Sequence, residues 1–178
     1  GDVAARVAAG GPVTTLPWRG PLRSWGMLAL FLALSLAVGA AGGVVTRPSL
    51  PVWYAELAKP SFTPPTWAFP VVWTALFVLM GIAAWRVWRL RGFRGAPVAF
   101  GLFFTQLGFN FGWSLLFFGL RMPPAALAWI AVLWLAIVAT LVAFWRNDRP
   151  AGAMLVPYLL WVSYAAALNA AFVRLNPV

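Results

Sequence analysis

Residues 53–73, "WYAELAKPSFTPPTWAFPVVW", place four prolines and six aromatic rings in twenty-one positions. Pro60, Pro64 and Pro65 fix φ and lack a backbone donor, so "KPSFTPP" predicts a rigid turn or short extended piece, not a continuing helix. Trp67 and Phe69 then open an apolar run, and Pro70 falls in its first turn, where a missing N–H costs little. A stiff connection of this kind, with Trp53 and Tyr54 packing down from it, covers the end of a helix bundle either as a lid over a cavity or as a plug.

The segments on either side decide the class. The chain is 63% hydrophobic and only 9% charged, against about a quarter charged in soluble domains. Charge-free apolar runs lie at Ser24–Thr46, Trp67–Trp85, Val98–Leu120, Pro123–Trp145 and Ala151–Val173, each close to the roughly 20 residues that cross the hydrocarbon layer as a helix. They predict an all-α, polytopic membrane protein, a five-transmembrane-helix bundle over 24–176. Its spans fall at about 24–46, 67–90, 98–120, 123–145 and 151–173, with a proline-rich first loop at 47–66 and a poorly ordered N-terminal tail at 1–23. Barrel strands would alternate apolar and polar residues, and these runs are apolar all round.

The net charge of +10 does not predict nucleic-acid binding, because the basic residues are spread over span ends. Nine lie in the tail (Arg6, Arg19, Arg23), the second connection (Arg86, Arg89, Arg91, Arg94) and the fourth (Arg146, Arg149); four lie elsewhere (Arg47, Lys59, Arg121, Arg174). The positive-inside rule then puts the N-terminus in the cytoplasm and the first loop and C-terminus opposite. A bacterial envelope is expected rather than an organelle membrane. The first apolar run exceeds a signal-peptide core of about 7–15 residues, which favours a retained span.

Missing residue types exclude much chemistry. There is no His or Cys, and the carboxylates are Asp2, Glu56 and Asp148. Zinc or copper sites, Ser-His-Asp and Cys-His nucleophiles, paired-carboxylate glycosidases and haem on a His or Cys ligand all need side chains this chain lacks. No metal or required cofactor is expected. Lys59 is the sole lysine and lies in the first loop, so a Schiff base inside the bundle is excluded as well. No span has an ionisable group at its centre, which argues against ion-coupled transport.

Rings and amides remain. Of twelve tryptophans, Trp25, Trp85, Trp88, Trp129 and Trp145 sit near span ends and fit an interfacial belt. Trp73, Trp113, Trp134 and Trp161 sit inside spans, and Trp134, without a polar neighbour on its face, reads as packing. Gln106, Asn110, Trp113 and Phe117 share one helical stripe; Tyr158, Trp161, Ala165 and Asn169 share another. Polar groups at such depths face the bundle interior, so the two stripes should face each other, as a ligand pocket or as interhelical hydrogen-bonding glue, with the two balanced. Gly101, Thr105, Gly108 and Gly112 make small-xxx-small pairs that suit a dimer face.

These residues resemble the translocator protein and bacterial tryptophan-rich sensory protein family. "WYAELAKPSFTPPTWAFPVVWTALFVLMGIAAWRVW" (53–88), "TQLGFNFGWSLLFFG" (105–119) and "VPYLLWVSYAAALN" (156–169) look like family segments in family order. The resemblance implies a five-helix bundle, commonly dimeric, that binds porphyrins such as protoporphyrin IX, sterol-like lipids and synthetic benzodiazepine-site ligands. It implies a cavity lined by Trp73, Asn110, Trp113, Tyr158 and Trp161, and covered by Trp53, Tyr54, Pro64, Pro65 and Trp67. The third-span small residues would contribute to the dimer face.

Two departures stand out. Phe62 occupies the place of a frequent tryptophan, and the sterol pattern is reduced to Leu168, Phe172 and Arg174 without its tyrosine. The expected function is a sensor or carrier that stacks a flat tetrapyrrole, with Lys59 or Arg47 pairing a propionate. The alternatives are light-dependent porphyrin degradation with Trp161 and Trp73 as electron donors, and a dimeric scaffold without ligand turnover.

Overall fold

The computed structural model describes residues 21–177. The tail expected at 1–23 lies outside the described residues except for its last three, and these are already helical. Every regular element among the described residues is a helix: α1 (Pro21–Thr46), α2 (Ala68–Gly95), α3 (Pro97–Ser114), α4 (Pro123–Asn147) and α5 (Val156–Leu175), with a single turn, Arg149–Ala153, leading into α5. Four helical segments, Leu22–Tyr54, Ala68–Gly95, Pro123–Asn147 and Arg149–Leu175, are long and apolar enough to cross a membrane. The chain is a multi-pass membrane protein. The 18-residue α3 is outside those four; it is short, and Gln106, Asn110 and three glycines dilute its hydropathy.

The boundaries differ from the sequence expectation where proline or glycine acts. The first loop is helical for almost half its length, because α1 runs on through a 3₁₀ turn (Arg47–Ser49) and a π turn (Leu50–Tyr54). Pro48 and Pro51 each remove an i→i−4 donor, so the helix changes pitch before it ends. Residues 58–67 then form the non-helical piece, with Thr63 N donating to Pro60 O at 3.0 Å and Ala68 N to Pro65 O at 2.9 Å. The second span is kinked at Gly92 (φ 66°, ψ 174°), a conformation open to glycine. The third ends in a π turn, Leu115–Gly119. The fifth is interrupted at Met154–Leu155, since Pro157 cannot donate to Ala153 and the helix restarts at Val156.

Small residues set the close approaches. A Cβ at Gly81 would lie 3.0 Å from the Leu32 backbone, and one at Gly39 would lie 2.6 Å from the Phe77 ring, so α1 and α2 run side by side. α3 packs along α4 and against α1, whereas α5 has its extensive backbone contact with α4. α2 and α5 meet through ring side chains. Phe31, Met80, Phe103, Ile137 and Phe144 fill the centre.

Two of the tryptophans assigned to the belt belong elsewhere. Trp88 is 2% exposed and is a core residue. Trp129 donates from Nε1 to Phe109 O at 2.8 Å and lies where a Cβ at Gly112 would be 2.8 Å from its ring. Trp25 and Trp145 remain outward-facing. Trp85 stacks on Trp25 and donates to Ser24 O at 2.9 Å.

One ion pair ties α2 to the turn before α5. Arg86 Nε and Nη2 donate to Asp148 Oδ2 and Oδ1 at 2.6 and 3.3 Å, and Asp148 Oδ2 also accepts from Ala151 N at 3.3 Å. Asp148→Ala therefore leaves a partly buried guanidinium and a helix start unpaired. It should lower stability by on the order of 2 kcal/mol, read as a drop of several degrees in the melting midpoint in detergent. Adding Arg86→Ala should cost little more, because both substitutions break the same pair.

Candidate functional site: a polar ladder behind a ring-lined slot

The two sequence stripes meet. Asn110 Nδ2 donates to Tyr158 Oη at 2.9 Å, and Tyr158 Oη donates to Gln106 Oε1 at 2.9 Å. Gln106 Nε2 reaches Met80 Sδ at 3.6 Å. Farther along, Trp113 Nε1 donates to Asn169 Oδ1 at 3.2 Å, and Asn169 Nδ2 donates to Pro123 O at 3.0 Å. Gln106, Asn110, Tyr158 and Asn169 are all buried, so the ladder binds α2, α3, α4 and α5 together in a region without water. In this conformation the amides are satisfied by the Tyr158 hydroxyl, the Trp113 indole and the Pro123 carbonyl, and Ala165 belongs to the same core.

The rings form two groups. Trp73 stacks on Phe77 (5.8 Å) and meets Tyr158 and Trp161 edge to face at 6.3 and 6.5 Å. Phe69 and Tyr164 flank Trp161. The second group is at the first-loop end: Trp53 on Phe117, Tyr54 on Phe118 and Phe172, and Phe117 stacked on Trp113. Its centre, Phe117 and Phe172, is buried, and Trp113 packs against both this cluster and the main core.

The open space lies beside Trp161. An open, largely apolar groove of about 560 Å³ is bounded by Val72 and Leu76 of α2, by Pro157, Leu160 and Trp161 of α5, and by Pro64 and Tyr164 at the loop end. Trp161 Nε1 is buried without an acceptor. Trp161 borders this slot, and Trp73, which meets both Trp161 and Tyr158, joins it to the polar ladder. Of the residues proposed to cover a cavity, Pro64 borders the slot, Trp53 and Tyr54 plug the bundle end, and Pro65 and Trp67 face outward, Trp67 at 70% exposure.

Other placements revise the sequence reading. Trp134, read as having no polar neighbour, donates to Ser163 Oγ of α5 at 2.9 Å. Gly112 is covered by Trp129 of its own chain, whereas Gly101, Thr105 and Gly108 are exposed with no neighbouring element over Gly101 or Gly108. Lys59 turns back on its own helix end, its Nζ donating to Ala55 O at 3.0 Å and lying 5.1 Å over the Tyr54 ring. Leu168 and Phe172 of the reduced sterol pattern are buried, leaving Arg174 outside.

Asn176, Tyr164 and Ser49 were not singled out from sequence. Asn176 accepts from Ala58 N at 2.8 Å and donates to Ala58 O at 3.0 Å; Tyr164 Oη donates to Phe62 O; Ser49 Oγ donates to Phe118 O at 2.6 Å. Tyr164 is three residues past Trp161, so helical spacing could have found it. Asn just beyond a helix end is a capping signal.

Bundle, ladder and ring cluster coincide with one family's sequence model. The TspO/MBR family matches residues 31–175. The chain belongs to that family. It is similar to a protein named tryptophan-rich protein TspO from Chlorobaculum tepidum, 47% identical over 152 residues, covering 84% of this chain and 96% of that protein. A tryptophan-rich sensory protein from Cereibacter sphaeroides is 43% identical, covering 83% and 92% respectively. The human translocator protein is 40% identical over 119 residues, 66% of this chain and 70% of its own length.

Tyr158→Phe removes the hydroxyl that serves both amides and leaves Asn110 and Gln106 short of partners inside the bundle. The expected cost is about 1–3 kcal/mol. Asn110→Leu with Tyr158→Phe should cost less than the two separate losses summed, measured as melting midpoints in one detergent.

Proposed function

We propose that this chain is a membrane sensor or carrier for flat, largely apolar ligands, with porphyrins of the protoporphyrin IX type as the chief class. The observation that carries the reading is the slot itself: about 560 Å³ of apolar space, within the roughly 300–1,000 Å³ of ligand pockets. Beside it, the buried Trp161 N–H lacks an acceptor. A tetrapyrrole edge offers acceptors that this N–H would meet once the Trp161 ring turns toward the slot, and its face matches the Trp161 and Tyr164 rings. The names of the relatives, sensory protein and translocator protein, fit a binding role.

The rest of the reading follows the sequence. The N-terminus is cytoplasmic and the first loop lies on the far side, in a bacterial envelope membrane. Two copies associate through the face bearing Gly101, Thr105 and Gly108. Porphyrin is preferred over sterol-like lipid, because Leu168 and Phe172 are buried. Gln106, Asn110, Trp113, Phe117, Tyr158, Ala165 and Asn169 form the wall behind the rings and reach a ligand only when Trp73 and Trp161 shift.

Titration of the purified protein with protoporphyrin IX should quench tryptophan emission saturably, and Trp161→Phe should weaken binding by about 3–10-fold for one lost hydrogen bond. Quenching that never saturates, or equals that of empty detergent, defeats the reading. The contiguous Trp73–Trp161–Tyr164 rings also favour a second reading, light-driven degradation of the bound porphyrin with an indole as electron donor. Illumination should then bleach the porphyrin with wild-type protein; bleaching that persists in Trp73→Phe/Trp161→Phe counts against it.

A further inference from the structure

We propose that ligands reach the slot sideways from the lipid, through the seam between α2 and α5, and not past the first loop. This rests on the porphyrin reading above and concerns the route to that same site.

The loop end is fastened. Ser49 to Phe118, Asn176 to Ala58 in both directions, and Tyr164 to Phe62 tie it to α3's end and to α5. Trp53 and Tyr54 wedge into Phe117 and Phe172 beneath it. Lifting the loop breaks these bonds together and exposes the rings beneath. The opposite end is closed by the two-pronged Arg86–Asp148 pair, which holds the turn before α5 against α2.

Between these fastenings the wall is thin. α5 has its extensive backbone contact with α4, and the Trp73, Phe69, Tyr158 and Trp161 rings bridge α2 and α5. The slot lies on the outer side of that bridge, and Leu160 at its edge is 65% exposed. Its walls, Val72, Leu76 and Leu160, belong to two segments long and apolar enough to span the bilayer, so the opening faces acyl chains.

Physical chemistry favours this route. A flat apolar molecule dissolves in the bilayer and is concentrated there, and sliding between two helices keeps its faces out of water throughout. A carboxylated porphyrin can slide in with its ring plane between α2 and α5 while its propionates stay at the interface. The structure thus assigns α2 and α5 the part of a slot whose depth is limited by the Trp73–Trp161 pair.

The chain has no cysteine, so single-cysteine variants report cleanly. Leu160→Cys places a thiol at the slot edge, and Ser61→Cys places one on the exposed loop turn. Each is reacted with a bulky maleimide, reconstituted in lipid nanodiscs, and compared with its own unlabelled form by stopped-flow tryptophan quenching on addition of protoporphyrin IX. The tag at 160 should slow uptake by about tenfold or more, since uptake then needs a further conformational change, and the tag at 61 should leave the rate unchanged. Slowing by the loop tag equal to or greater than that by the slot tag overturns the proposal, as does no effect of either. If the unlabelled proteins show no saturable quenching at equilibrium, the porphyrin reading itself fails and the route with it.

Discussion

The Tyr158 hydroxyl, held between Asn110 and Gln106, is the contact on which the site's geometry depends. The bilayer core offers no water to a phenol or an amide, so each must find its partner on another helix. Eleven residues, about three turns, beyond Tyr158 on the same face, Asn169 accepts from Trp113. Contacts at two heights fix both the rotation and the tilt of α5 against α3. With α5 so placed, Trp161 has to face α2, and Trp73 has to meet it edge to face. The ring pair is thus a consequence of the polar ladder and needs no ligand to hold it.

The same anchoring explains why the bundle has a seam. α5 is drawn toward α3 by side chains and along α4 by its backbone, which leaves a gap toward α2 that the Trp73 and Trp161 rings fill. Edge-to-face indoles fill such a gap well, because they are large and tolerate separations of 4.5–7 Å between centroids. The gap would spread at its ends if nothing held them. Asp148 does so at one end by pairing Arg86 and capping Ala151, and Tyr164 and Asn176 do so at the other. A bundle tied at both ends and soft in the middle admits a flat guest without unfolding.

The helical class and most span positions were legible in the sequence, because an uncharged run of about twenty apolar residues has few other outcomes. The stripes were legible too: four-three-four spacing puts Gln106, Asn110, Trp113 and Phe117 on one face. Periodicity says which face a residue occupies, but not which distant element meets it. So the Trp129 seat on Gly112, the Ser163 partner of Trp134 and the Asn176 clasp on Ala58 were hidden, each joining residues from separate elements. The first loop shows both things proline can do. Pro60, Pro64 and Pro65 fall in the non-helical piece, as their chemistry requires, whereas Pro48 and Pro51 change the helical pitch and let α1 run on to Tyr54.

α3 holds two of the ladder's three amides, Gln106 and Asn110, and three glycines. These make it the helix least suited to face lipid, and it is outside the four segments apolar enough to span on their own. Its neighbours supply what it lacks. α1 and α4 pack along it, Trp129 covers Gly112 and donates to the Phe109 carbonyl, and α5 answers its amides. The polar groups that weaken α3 as an isolated span therefore select its central place in the bundle, since only there are they all met. Gln106 and Asn110 hold α5 in place from that centre, so the width of the slot on the far side of Trp161 is governed by residues that never line it.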